Sequence, residues 1–185
     1  MSMQYGQRTV NSSIDSRFPI GRFDLNAVLS SETRHKALND IEILPRQLRT
    51  AVAGMTEPQL DTSYRQDGWT IRQLVHHVAD SHMNAYIRTK LAITEKTPTI
   101  KPFDQDLWSE LRDSHLPIQC SLSILEGVHI RWTEINAALD EHSLARRFVH
   151  PELGSLTVDA HIHLYAWHGR HHLAHITNLM SVKGW

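Results

Sequence analysis

The chain has 185 residues, 41% of them apolar and 21% charged, which suits one domain with a hydrophobic core and excludes a disordered composition. Nineteen basic residues against twenty acidic ones leave a formal charge of −1, so the electrostatic footprint of a nucleic-acid or anionic-membrane binder is missing and a small-molecule partner is expected. Cys120 is the only cysteine, which excludes an intrachain disulfide and a multi-cysteine zinc site and leaves fourteen histidines as the unusual feature of the composition.

Residues 1–29 are polar and irregular, with FPIGRFDL the one apolar patch, and read as an N-terminal arm lying across the body. No run approaches the roughly 18 to 20 apolar residues of a membrane span, and the start has no apolar signal-peptide centre, so a cytoplasmic location is expected. From Ser31, with Ser30 or Ser31 as cap, Leu38, Ile41, Leu44, Leu48, Val52 and Met55 recur at helical spacing, with a kink expected at Pro45. A turn at Asp67-Gly68 precedes a long helix over about Trp69 to Ile93. Residues 94–117 carry three prolines and read as a long crossover with one short helix. A third helix follows over about Ser121 to Leu139, PELGS at 151–155 reads as a turn, and a fourth helix spans about Thr157 to Val182. Four long helical patterns without alternating strands predict an all-α chain, an antiparallel four-helix bundle forming a single domain over 1–185.

Histidines fall on these helices in a pattern. An α-helix turns by about 100° per residue, so in DAHIHLYAWHGRHHLAHITNL the rings of His161, His172 and His175 lie within about 40° of His168, with His171 about 60° away. His168 and His172 stand at i and i+4, where two imidazoles can reach one ion. Buried imidazoles without partners would cost about 1 to 3 kcal/mol each, a penalty that a shared metal relieves. On the second helix Thr70, His77, Ser81, Asn84 and Arg88 form a polar stripe suited to one side of a cleft, with Asp80 on the flank of His77 and His76 facing elsewhere.

The segments WTIRQLVHHVADSHMNAYIRTKLAITEKTPTIKPFDQDLW and YAWHGRHHLAHI resemble the DinB-like superfamily and, within it, the YfiT group named as metal-dependent hydrolases. FPIGRF, GMTEPQLDTSYRQDGWT and the terminal GW fit as well, so the resemblance spans nearly the whole chain. It implies an antiparallel four-helix bundle holding one divalent metal ion on three histidines, with water completing the shell. Carried over by position, the ligands are His77, eight residues after Trp69, and His168 and His172, the first and last histidines of HGRHH. Members of the family are also linked to transfer of low-molecular-weight thiols, bacillithiol among them, onto electrophiles.

Three protein ligands leave a position open, as in a catalytic site, whereas structural zinc normally has four. The leading expectation is an enzyme using zinc or nickel, either for hydrolysis through a bound water or for thiol transfer. A metal-binding module without turnover and a bundle serving mainly to form a homodimer are the alternatives. Asp80, His171 and His175 are candidates to orient the ligands or move protons. Asn84 lies further along the stripe, and Arg88 reads first as a solvated side chain and second as a clamp for a substrate carboxylate.

Overall fold

The computed structural model describes residues 15–185. Helix α1 (Ser31–Ala51) starts at Ser30, whose hydroxyl accepts from the Thr33 N–H while Thr33 caps it in return. Its buried stripe is Ala37, Ile41, Leu44 and Leu48, and it runs unbroken through Pro45. It ends four residues short of Met55, and a single turn, α2 (Glu57–Leu60), follows. Helix α3 (Ile71–Thr94) begins two residues after Trp69, because the Thr70 side chain accepts from the Gln73 N–H and Gln73 bonds back to Thr70. The crossover holds α4 (Gln105–Ser109), capped by Asp104, and a 3-10 turn over Arg112–His115. Helix α5 (Gln119–Ala137) and the one-turn α6 (Glu141–Leu144) come next.

A short hairpin then interrupts the helices. Strands β1 (Arg147–His150) and β2 (Gly154–Thr157) pair antiparallel, with Phe148 opposite Leu156 and both side chains buried. The expected turn over 151–155 therefore gives up Gly154 and Ser155 to a strand. Four-residue strands are too short to display an alternating pattern above the noise of the sequence. Helix α7 (Val158–Lys183) starts on a Thr157 cap and stops at Gly184, which has φ 69°.

Four long helices, α1, α3, α5 and α7, make the bundle, and its core divides into two apolar clusters. One gathers Ile41, Trp132, Phe148 and Ile162; the other gathers Leu48, Leu74, Leu125 and Ile176. Along each long helix the change from one cluster to the other falls at the same level: between Ile41 and Leu44, Ala79 and Ala85, Leu125 and Trp132, and Ala166 and Ile176. Those gaps contain His82 on α3, His129 on α5, and His168 and His172 on α7. A histidine layer thus crosses the middle of the bundle. At this level α1 comes so close to α7 that a Cβ on Gly169 would stand 2.6 Å from Leu44 Cδ2.

Residues 15–29 lie across α7 as an arm. Gly21 offers its carbonyl to the Trp167 indole N–H at 3.2 Å, Phe23 packs on Trp167 and Phe18 on His171. Residues 1–14 of the expected arm fall outside the described part. Among the described helices none is long and apolar enough to cross a membrane.

Candidate metal centre

The i, i+4 spacing on α7 puts His172 Nε2 3.1 Å from His168 Nε2, and α3 brings His77 Nε2 to 3.3 Å from the same atom. All three donor atoms lie within 4.8 Å of one another. Two nitrogens bound at about 2.05 Å with tetrahedral angles sit about 3.3 Å apart, so the observed spacing matches a divalent ion held by this trio. His77 and His172 are buried and His168 is partly covered. Desolvation, helped by neighbouring histidines, pushes His77 down to about 4 and His168 and His172 well below their ordinary value. The rings are therefore neutral at neutral pH, with lone pairs free for a metal. The Trp69 ring covers His77, their centroids 4.6 Å apart.

Behind His168 runs a chain of imidazoles whose proton positions follow from its far end. Pro45 has no N–H, so the Ile41 carbonyl four residues earlier lacks its helical donor. His129 Nδ1 lies 2.6 Å from that oxygen and must donate to it. Burial pushes His129 down to about 4 and His82 well below the usual value, so both rings are neutral. His129 Nε2 then accepts from His82 Nδ1 at 3.0 Å, and His82 Nε2 accepts from His168 Nδ1 at 3.2 Å. With its proton on Nδ1, His168 presents a bare Nε2 to the other two ligands. Ring tautomers of metal-binding histidines are commonly set by such a second hydrogen bond. His172 Nδ1, by contrast, is buried with no protein partner.

Two cavities border His168. The larger, about 750 Å³, is walled by Phe18, Tyr64, Trp69, Trp167 and the α7 histidines. The smaller, about 500 Å³, lies on the other side between Ser81, Arg88, Phe103, His150 and Tyr165.

The remaining sequence candidates divide. His171 and His175 pair with each other, Nε2 to Nε2 at 3.1 Å, and line the larger cavity. Desolvation lowers both, His175 to about 4. Asp80 sits outside both cavities, half-buried, and burial together with nearby Asp113 raises it to about 6. Asn84 donates its amide to the Asp80 carbonyl one turn back. Arg88 is not the solvated side chain expected: it is 7% exposed and donates to Tyr165 Oη at 3.2 Å and the Lys101 carbonyl at 3.1 Å. Its long stem carries the charge inward beneath the crossover, a placement a helical wheel does not foresee. His161 leaves the stripe for the core, donating from Nε2 to the Ala85 carbonyl at 3.1 Å with its ring against Phe148. His82 and His129 escaped the sequence reading because each is a lone histidine on an apolar face; the relation of Pro45 to Ile41 was the signal that could have exposed them.

Residues 40–176 match the model of the DinB superfamily. A protein of Oceanobacillus iheyensis named "Putative metal-dependent hydrolase" is 49% identical over 93% of this chain and all of its own length. A relative from Bacillus mycoides with the same designation is 50% identical over 92% of this chain and 99% of its own. The solved structure of YfiT from Bacillus subtilis, described as "a probable metal-dependent hydrolase with an unusual four-helix bundle topology", superposes with a TM-score of 0.89 at 44% identity. It is matched over 99% of its length by 93% of this chain. Fold, histidine trio and relatives agree, and the chain belongs to the DinB superfamily.

Proposed function

We propose that the protein is a metal-dependent hydrolase of small organic substrates, with His77, His168 and His172 holding the ion. One observation carries this reading: three neutral imidazole nitrogens converge beside two open cavities that both border His168, and no fourth histidine, cysteine or carboxylate joins their cluster among the described residues. Zinc and nickel suit an imidazole shell. When bound, the ion supplies Lewis acidity and an activated water for attack on an acyl or related bond. The chain's own part is to keep the ligands neutral by burial, to fix the His168 tautomer through His82, and to shield the site beneath Trp69. The names of the relatives support the same activity.

A second reading, transfer of a small thiol to an electrophile, is favoured by the presence of two cavities. Hydrolysis needs room for one organic substrate, whereas group transfer needs room for two, and here both spaces border His168. The deciding experiment combines elemental analysis of native protein with an amide and ester panel run beside a thiol-plus-electrophile panel. Stoichiometric metal with turnover of amides or esters, lost in His168→Ala, is the expected result. Thiol consumption without hydrolysis would establish the second reading, and protein purified without chelator that carries no metal would end both.

A further inference from the structure

We infer that the smaller cavity is an oxyanion subsite, in which Arg88 receives a carboxylate or phosphate group of the substrate. The inference deepens the proposed function by naming a substrate class.

The argument starts from two buried arginines on the same helix. Arg72 is 5% exposed and meets two carboxylates, Glu57 at 2.5 Å and Asp61 at 2.7 Å. Arg88 is almost as buried, yet among the described residues it forms no ion pair. A guanidinium has five N–H donors, and only two hydrogen bonds are formed, both to neutral oxygens. A buried charge without a counter-ion is costly, and Arg88 lines the cavity.

Other groups around this cavity are donors too. Tyr165 Oη accepts from Arg88, which leaves its own hydrogen free to donate. The Glu152 backbone N–H donates to His150 Nδ1 at 3.2 Å, so the neutral His150 ring carries its proton on Nε2. Burial, reinforced by the Arg88 charge, lowers His150 and keeps it neutral. Ser81 adds a hydroxyl. Of the two carboxylates at the rim, Asp104 is committed to capping α4 and Glu152 is exposed, and neither reaches Arg88. A forked cation flanked by O–H and N–H donors is the arrangement that binds a planar carboxylate or a phosphate. Phe103 provides an apolar wall for the organic part, and His168 in the same lining puts this cavity beside the proposed metal ligands.

The test uses the full chain, metal-loaded and chelator-treated, titrated separately with acetate and inorganic phosphate while the Arg88 Nε–H resonance is followed by NMR. We expect a saturable shift of that resonance with at least one probe, in both metal states, and a loss of affinity of about tenfold or more in Arg88→Gln. The probe that binds more tightly tells carboxylate from phosphate. No saturable shift in the wild-type protein would overturn the subsite. So would binding that needs the metal and persists undiminished in Arg88→Gln, because the anion would then be a metal ligand. The wild-type resonance reports even if the variant fails to fold. Metal content and turnover on the substrate panel are read separately, so failure of the hydrolase reading leaves this result standing and the converse also holds.

Discussion

The apolar clusters and the histidine layer between them obey different rules. In the clusters, Ile41, Leu125, Ile162 and Ile176 are wholly buried and need only volume and shape. In the layer, His82 and His129 are as deeply buried, and each is tolerable only because a specific partner satisfies each ring nitrogen. The clusters make the bundle stable, and the layer holds polar groups that an apolar core would dispense with. The contrast teaches that stability and chemistry are separated mainly by level along the helices rather than by helix, with His77, set between Val75 and Val78 of one cluster, as the exception.

Substitutions should separate the two regions. The largest effect is expected from His168→Ala, which removes the shared member of both short nitrogen contacts. Metal content by elemental analysis should fall from stoichiometric to near zero, and retention of a full equivalent would show that the trio is not the binding site. Next comes Leu48→Ala in a cluster, expected to cost about 2 to 5 kcal/mol in urea unfolding while the folded fraction keeps its metal. Equal loss of metal and stability would mean that the two regions are not separable. His82→Leu strands the His168 Nδ1–H and His129 Nε2, and should weaken metal binding by about tenfold to a hundredfold in chelator competition. An unchanged affinity would make the imidazole chain mere packing.

The pH dependence of the metal-free protein reads the same buried rings. His129 and His161 stand near 4 when folded against 6.5 unfolded, so unfolding takes up protons in between. Their contribution is full above about 6.5 and is lost as the pH falls towards 4. Asp80, raised from 3.8 to about 6, works in the opposite direction, since its contribution fades as the pH rises through that range. The histidines outnumber it, and urea midpoints should drop on acidification. A flat profile would contradict neutral burial.

Much of this was legible in the sequence because helices repeat. Periodicity located all four long helices to within a few residues, and i, i+4 spacing paired His168 with His172. The hairpin was not legible, since strands of four residues carry no period. Nor was the burial of Arg88, whose environment is made by Tyr165, Lys101 and His150, residues distant in the chain. The wheel grouped His161 with the site although it packs against Phe148 in the core: position on a helix gives direction, and depth comes only from what the neighbouring helices bring.

Pro45 is the residue an engineer seeking a sturdier protein would replace first, because a helix-interior proline forgoes about 3 kcal/mol relative to alanine. Such a change would return the Ile41 carbonyl to its own helix and compete with His129 for it. A more stable scaffold could thus come with a more weakly held ion, and a thermostability screen would select for that loss without registering it. The outermost component of this metal centre is a missing amide hydrogen on a helix that supplies no ligand.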